Sequence, residues 1–151
     1  MSNADTIDLV TGVDALTELA PVLLQLRPQY TAESLVARIQ AQQDSEGYQV
    51  ACLYSKGRPA CVAGFVINNK LAWGKHLYVD DLVTDETFRS QGAGQAMVAW
   101  LKQFALEAGC QELYLDSGMQ RKEAHRFYDR EGFTRSGIHF VITDLDNSHA
   151  S

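Results

Sequence analysis

Apolar residues recur along this chain at helical spacing in some stretches and at alternate positions in others, and the switches between the two patterns predict its elements. Residues 6–11 alternate and read as a first strand, whereas Leu16, Leu19, Ala20, Leu23 and Leu24 recur at helical spacing across residues 13–26. Pro21 lies inside that second pattern and lacks an amide hydrogen, so a kink or a restart is expected there. Pro28 closes the segment, and Thr31 is placed to cap a second helix whose face is Leu35, Val36 and Ile39 and which should stop by Gly47. Two β-prone runs follow, residues 48–54 and 59–67, separated by Ser55-Lys56-Gly57-Arg58, which has hairpin-turn composition. Asn68-Asn69-Lys70 reads as a second turn, and residues 75–84 as a strand rich in Leu, Tyr and Val.

The second half repeats the alternation of types. Residues 95–108 place Met97, Leu101, Phe104 and Ala108 on one stripe, with Gly109 as the stop. Residues 112–116 form a short strand, and residues 120–131 a helix with Ala124, Phe127 and Tyr128 on one face, ended by Gly132. Residues 133–144 read as two short strands around Ser136-Gly137, and residues 146–151 as a frayed tail. The order β-α-α-β-β-β-α-β-α-β-β describes a single α/β domain over residues 5–145 with strands of mixed direction.

Composition narrows the partners more than the fold. A chain of 151 residues, 46% hydrophobic, has enough apolar surface for one real core. Its net charge of -6 disfavours nucleic-acid binding, which needs clustered cations, and suits a cationic partner such as an amine. Cys52, Cys61 and Cys110 are odd in number and set among apolar residues, which argues against a disulfide framework or a metal site and for buried thiols. The four histidines lack metal-ligand spacing. Neither a membrane span nor a signal pattern is visible, so a cytoplasmic location is expected, with no membrane partner.

The chemistry concentrates in Arg89-Ser90-Gln91-Gly92-Ala93-Gly94, between a strand and a helix. Glycines there let backbone approach a ligand, and the first turn of the helix offers unpaired amides to an anion. A nucleoside-triphosphate loop requires lysine after its last glycine, and Gln95 stands there; a dinucleotide loop requires a third glycine, and Met97 occupies that position. Both familiar phosphate binders are therefore excluded on named residues. The remaining readings of the loop taken alone are a plain glycine-rich turn or another phosphate site.

Strand, Arg-x-x-Gly-x-Gly, amphipathic helix, strand, then Ala124-x-x-x-Tyr128-x-x-x-Gly132-Phe133 resembles the GNAT family of N-acetyltransferases, closely over residues 78–133. The resemblance implies the acyl-CoA N-acyltransferase fold, a mixed and mostly antiparallel central sheet flanked by about four helices. It implies acetyl-CoA as co-substrate, with Arg89, Ser90, Gln91, Gly92, Ala93, Gly94 and Gln95 around the pyrophosphate and Leu82, Val83 and Thr84 presenting backbone to the pantetheine arm. Thr84-Asp85-Glu86 departs from the Val-x-Pro common in the family, and Arg121 stands where an Asn is frequent. The role of Arg121 stays open between a CoA phosphate, an acidic acceptor group and solvent.

Amide formation from a thioester needs a base for the amine and an acid for the departing thiolate. Strand alternation turns only one of Asp80 and Asp81 to the cleft unless a bulge intervenes; the resemblance places Asp80 where the family often carries its base, with Asp81 and Tyr78 expected as acceptor-binding groups. The resemblance makes Tyr128 the general acid and sets His139, on a late strand, at the acceptor side. The expected activity is direct acetyl transfer to a small-molecule amine, without a metal and within a possible homodimer. Rival readings are a protein lysine or N-terminal acetyltransferase, a regulatory module that binds CoA without chemistry, and an interaction domain with a fortuitous loop.

Overall fold

The computed structural model describes residues 5–117 and 119–145. Its elements are β1 (Thr6–Leu9), α1 (Val13–Leu26), α2 (Ala32–Glu46), β2 (Gln49–Ser55), β3 (Arg58–Lys70), β4 (Gly74–Thr84), α3 (Ala93–Glu107), β5 (Glu112–Leu115) and α4 (Lys122–Arg130), with a single 3₁₀ turn at Glu86–Phe88. They fall into two compact units that divide between Gly118 and Met119. All five strands belong to the first unit and form one sheet in the order β1-β2-β3-β4-β5. The first four strands are antiparallel neighbours, while β4 and β5 run parallel. The sheet is thus mixed and mostly antiparallel, and the described residues include four α-helices, as the family resemblance implies.

Alternation along the central strands explains the two-layered core. Successive side chains of a strand point to opposite faces. Val50 and Cys52 of β2 and Val62 of β3 therefore pack with Leu16, Leu19 and Leu23 of α1 and Val36 and Ile39 of α2. Ala51, Leu53, Phe65, Leu77 and Val79 point the other way, onto Met97, Leu101 and Ala105 of α3. Trp100 and Phe104 extend this second layer, their rings stacked 5.0 Å apart beside Phe65. Burying each such Leu or Phe contributes about 1.5–3 kcal/mol relative to leaving it exposed.

Local chemistry sets the ends of the elements. Thr31 caps α2 by accepting from the Ser34 amide while the Ser34 hydroxyl accepts from the Thr31 amide, and Gly47 closes the helix in the left-handed region at φ 69°. Lys56 and Gly57, both at positive φ, make the tight β2–β3 turn.

Four features differ from the sequence expectation. Helix α1 does not restart at Pro21 but continues to Leu26, and Thr17, whose carbonyl loses its helical partner there, is exposed to water. Asn68, Asn69 and Lys70 are not a turn: they pair with His76, Lys75 and Gly74, and the chain reverses at residues 71–73 instead. Helix α3 begins at Ala93, inside the glycine motif, because Gly92 takes the left-handed cap position at φ 85°. Residues 133–144 carry no strand, and Ile138, Phe140, Val141 and Ile142 are exposed. Their β-branched and aromatic composition favours strand, but a strand needs a hydrogen-bonded neighbour and none pairs with it among the described residues. The expected frayed tail, residues 146–151, lies outside the described residues.

Candidate active site

A β-bulge in β4 organises the first unit's polar centre. Asp81 pairs with Gly64 and Val79 with Phe65, so Asp80 is an extra residue with no opposite number on β3. The bulge shifts the phase of the strand by one, which puts Tyr78 and Asp81 on the same face despite their odd spacing, with Asp80 between. The two aspartates therefore lie in different surroundings.

Asp81 is held on both oxygens. Arg27 Nε donates to Oδ1 at 2.8 Å and the buried Tyr48 hydroxyl donates to Oδ2 at 2.6 Å. Arg27 also donates through Nη2 to the Asp80 carbonyl at 3.0 Å, so one guanidinium fastens the end of α1 to the bulge. Burial first, and then the neighbouring Asp81 charge, push the Tyr48 phenol well above its ordinary range, and it stays a donor. Tyr48 reaches Asp81 across Gly64, where a Cβ would lie 1.6 Å from the hydroxyl oxygen. Gly64→Ala should therefore dislodge Tyr48 and lower stability by about 1–3 kcal/mol, measurable as a reduced urea midpoint.

The Asp80 carboxylate, in contrast, accepts no hydrogen bond among the described residues. Loss of hydration is the leading cause that raises its pKa, followed by the charges of Asp81, Asp116 and Glu46, with Arg27 opposing. Asp80 is itself exposed, and the raised pKa makes its carboxylate a better proton acceptor than an aspartate of ordinary pKa. Tyr78 donates to Asp116 and lies in an aromatic group in which Trp73 stacks on Tyr114 at 3.9 Å and Lys70 Nζ sits 4.7 Å over Trp73. Burial and the Asp116 hydrogen bond hold the Tyr78 phenol protonated.

Beyond the bulge the sheet splays. Pairing of β4 with β5 ends at Val79 and Leu115, yet β4 continues to Thr84 with β3 as its remaining described neighbour. The backbone edge of Leu82, Val83 and Thr84 that faces away from β3 has no partner strand among the described residues. Asp85 then caps the turn at Glu86–Phe88 by accepting from the Thr87 amide at 3.0 Å. Gln25 of α1 clasps the same turn, donating to Asp85 at 2.7 Å and accepting from the Glu86 amide at 3.1 Å. The chain passes through Arg89, Ser90 at φ 64°, Gln91 and Gly92 into α3.

The first intrahelical bond of α3 is Ala96 to the Gly92 carbonyl at 3.0 Å, and no side chain caps the helix. The amides of Ala93, Gly94 and Gln95 are therefore available to an anion, at the positive end of a 15-residue helix. A free strand edge leading into a helix N-terminus fits an extended ligand that ends in phosphates. Gly92→Val forces a β-branched residue to φ 85° and should lower stability by about 1–2 kcal/mol, measurable as a reduced urea midpoint.

In the second unit, Tyr128 is half-buried on α4, with its ring edge-on to Phe127 and Phe133 at centroid distances of 5.4 and 5.7 Å. The Phe133 amide donates to the Tyr128 carbonyl at 3.0 Å, and Gly132 turns the chain at φ 95°. Arg121 occupies the N-cap position of α4 and is exposed. His139 is exposed on the segment that forms no strand, which corrects the expected placement of that residue on a late strand. Arg27, Tyr48 and Gln25 went unmarked in the sequence, since each acts on a residue 33 to 61 positions away and stands in no local motif.

An antiparallel sheet splayed at its one parallel pair, with an anion-binding helix end beside the splay, defines the architecture of acyl-CoA-dependent N-acyltransferases. The profile of the Acetyltransferase (GNAT) family matches residues 15–133. The chain is 33% identical over 126 residues to the uncharacterised N-acetyltransferase YhdJ of Bacillus subtilis (strain 168), covering 83% of this chain and 89% of that protein. It is 36% identical over 63 residues to the aminoalkylphosphonate N-acetyltransferase of Salmonella typhimurium (strain LT2), covering 42% and 41% of the two chains. An aminoglycoside N-acetyltransferase solved in complex with CoA superposes with a TM-score of 0.78 at 13% identity, over 94% of this chain and 97% of the other. The chain belongs to the GNAT acetyltransferase family and is an N-acetyltransferase. No described helix is long and apolar enough to cross a membrane.

Proposed function

We propose that this enzyme transfers the acetyl group of acetyl-CoA to the primary amine of a small molecule by direct attack within a ternary complex. The observation that carries the reading is the unpaired β4 edge, residues 82–84, running into the free amides of α3. Leu82, Val83 and Thr84 offer main-chain groups to the pantetheine arm. Residues 89–95 offer backbone amides and the Arg89 cation to the pyrophosphate, with Arg121 as a further phosphate contact. A relative named for aminoalkylphosphonate supports a small acceptor over a protein tail.

Asp80 takes the proton that the amine must lose, its raised pKa matching it better to that task than an ordinary carboxylate would be. Tyr128, by its place in the family motif, returns a proton to the thiolate. Asp81 serves the acceptor through what it positions, since Arg27 and Tyr48 occupy both its oxygens. Tyr78 completes the acceptor side, and residues 5–145 constitute the catalytic domain.

The cysteines support transfer without a covalent enzyme intermediate. Burial pushes the Cys52 thiol up to about 12 and the Cys61 thiol up to about 11, and burial also raises Cys110. None is a ready thiolate. Cys52 and Cys61 are free and buried, which accords with a cytoplasmic enzyme, whereas Cys110 is only partly buried, against the expectation for all three.

The test is CoA release from acetyl-CoA across a panel of small amines, with calorimetry for acetyl-CoA binding alone. Turnover with a small amine is expected. Binding without turnover would mark a regulatory module, and absence of binding would remove the donor assignment.

A further inference from the structure

A cavity of about 260 Å³ opens between α1, α2 and the β4 bulge. Leu35 and Ile39 line its apolar part, and Arg27, Arg38, Gln42 and Asp81 supply polar groups. We propose that this cavity receives an anionic group, a phosphonate or phosphate, carried by the amine acceptor, and that Arg38 is the residue that binds it. The inference rests on the acetyltransferase reading above and specifies its substrate class.

The charge on the walls carries it. Asp81 is the carboxylate of the lining, and it is already neutralised by Arg27 at 2.8 Å and bonded by Tyr48 at 2.6 Å. Arg38 makes no ion pair or hydrogen bond among the described residues, so the wall keeps one guanidinium with its donors open, in a protein whose net charge is -6. The Gln42 amide beside it adds a neutral donor. A guanidinium presents paired donors that match the oxygens of a phosphoryl group.

Position and size agree with a substrate subsite. Arg27 lines the cavity and at the same time donates to the Asp80 carbonyl at 3.0 Å, so the cavity adjoins the bulge that bears the proposed base. An acceptor anchored by its anion in the cavity directs its amine toward Asp80. At about 260 Å³ the space lies below the usual range for drug-sized ligands and suits a compact headgroup.

The experiment compares 2-aminoethylphosphonate with the uncharged 3-aminopropanol, at saturating acetyl-CoA, for the wild type, R38Q and R38K. The wild type should prefer the phosphonate by about tenfold or more in kcat/KM, the size of one charge-assisted contact. R38Q should erase that preference through KM for the phosphonate, and R38K should restore part of it. Equal use of the two amines by the wild type, or a preference that survives R38Q, overturns the proposal while leaving the acetyltransferase reading intact.

Calorimetric titration of the CoA-loaded protein with methylphosphonate separates the two claims further. Binding that R38Q abolishes supports the subsite even where neither amine is acetylated, and no binding to the wild type overturns it. Arg38 is exposed on α2, and a thermal melt of each variant checks that folding is retained.

Discussion

Asp80→Asn should lower kcat/KM for acetyl transfer by about 10²- to 10⁴-fold, the range for loss of a positioned general base. The amide keeps the shape of the side chain and cannot accept the proton. Because the residue stands out of the β3 register and its carboxylate bonds to no described residue, the substitution leaves the ladder and the Arg27–Asp81–Tyr48 contacts in place. Stability should accordingly change little, which separates this variant from Gly64→Ala.

The pH profile gives a second readout with a defined sign. Lost hydration and the nearby charges of Asp81, Asp116 and Glu46 raise the Asp80 pKa, and a base works only when deprotonated. Activity should therefore fall as pH drops through a value above the ordinary aspartate pKa of about 3.9. In Asp80→Asn that acid limb should disappear or move to whatever group replaces it. An unchanged rate and limb would transfer the role to a water chain or to another carboxylate.

Tyr128→Phe should slow acetyl transfer by a comparable factor, about 10²- to 10⁴-fold, with little change in KM for acetyl-CoA. A phenol with an ordinary pKa of about 10 suits a thiolate of similar basicity as a proton donor. Phenylalanine preserves the ring contacts to Phe127 and Phe133 and removes only the hydroxyl. Single-turnover measurements at saturating acetyl-CoA isolate the chemical step from product release. Equal turnover in this variant would withdraw the general-acid assignment, and a loss confined to stability would make Tyr128 a packing residue.

How much of the site was legible depended on the range of the forces that build it. The Arg89-to-Gly94 loop stands out because positive φ at Gly92 and free amides at a helix start are properties of adjacent residues. Its boundary was still misplaced by two residues, since Gly94 reads as loop composition while it lies inside α3. Asn68, Asn69 and Lys70 misled for the converse reason. They are polar and turn-like, but their partners on β4 hold them in the ladder.

The late strands show the same limit: residues 133–144 have strand composition, and composition alone supplies no neighbour. The distinction between Asp80 and Asp81 was not legible at all. It depends on a register shift opposite Gly64 and on Arg27 and Tyr48, which are 54 and 33 residues from Asp81.

By itself, then, the sequence determined the alternation of helices and strands as far as α4, the anion-binding loop with its exclusion of lysine-dependent phosphate binders, and the family motif that singles out Tyr128. Each of these rests on spacing within one or two turns or a single strand. Only the tertiary structure decided which aspartate is tied down and which is left open, that β4 parts from β5 at Val79, and that Arg38 lines a cavity beside the bulge. Those properties are set by register and by contacts between distant segments, where a one-residue slip reverses which side chain faces the site.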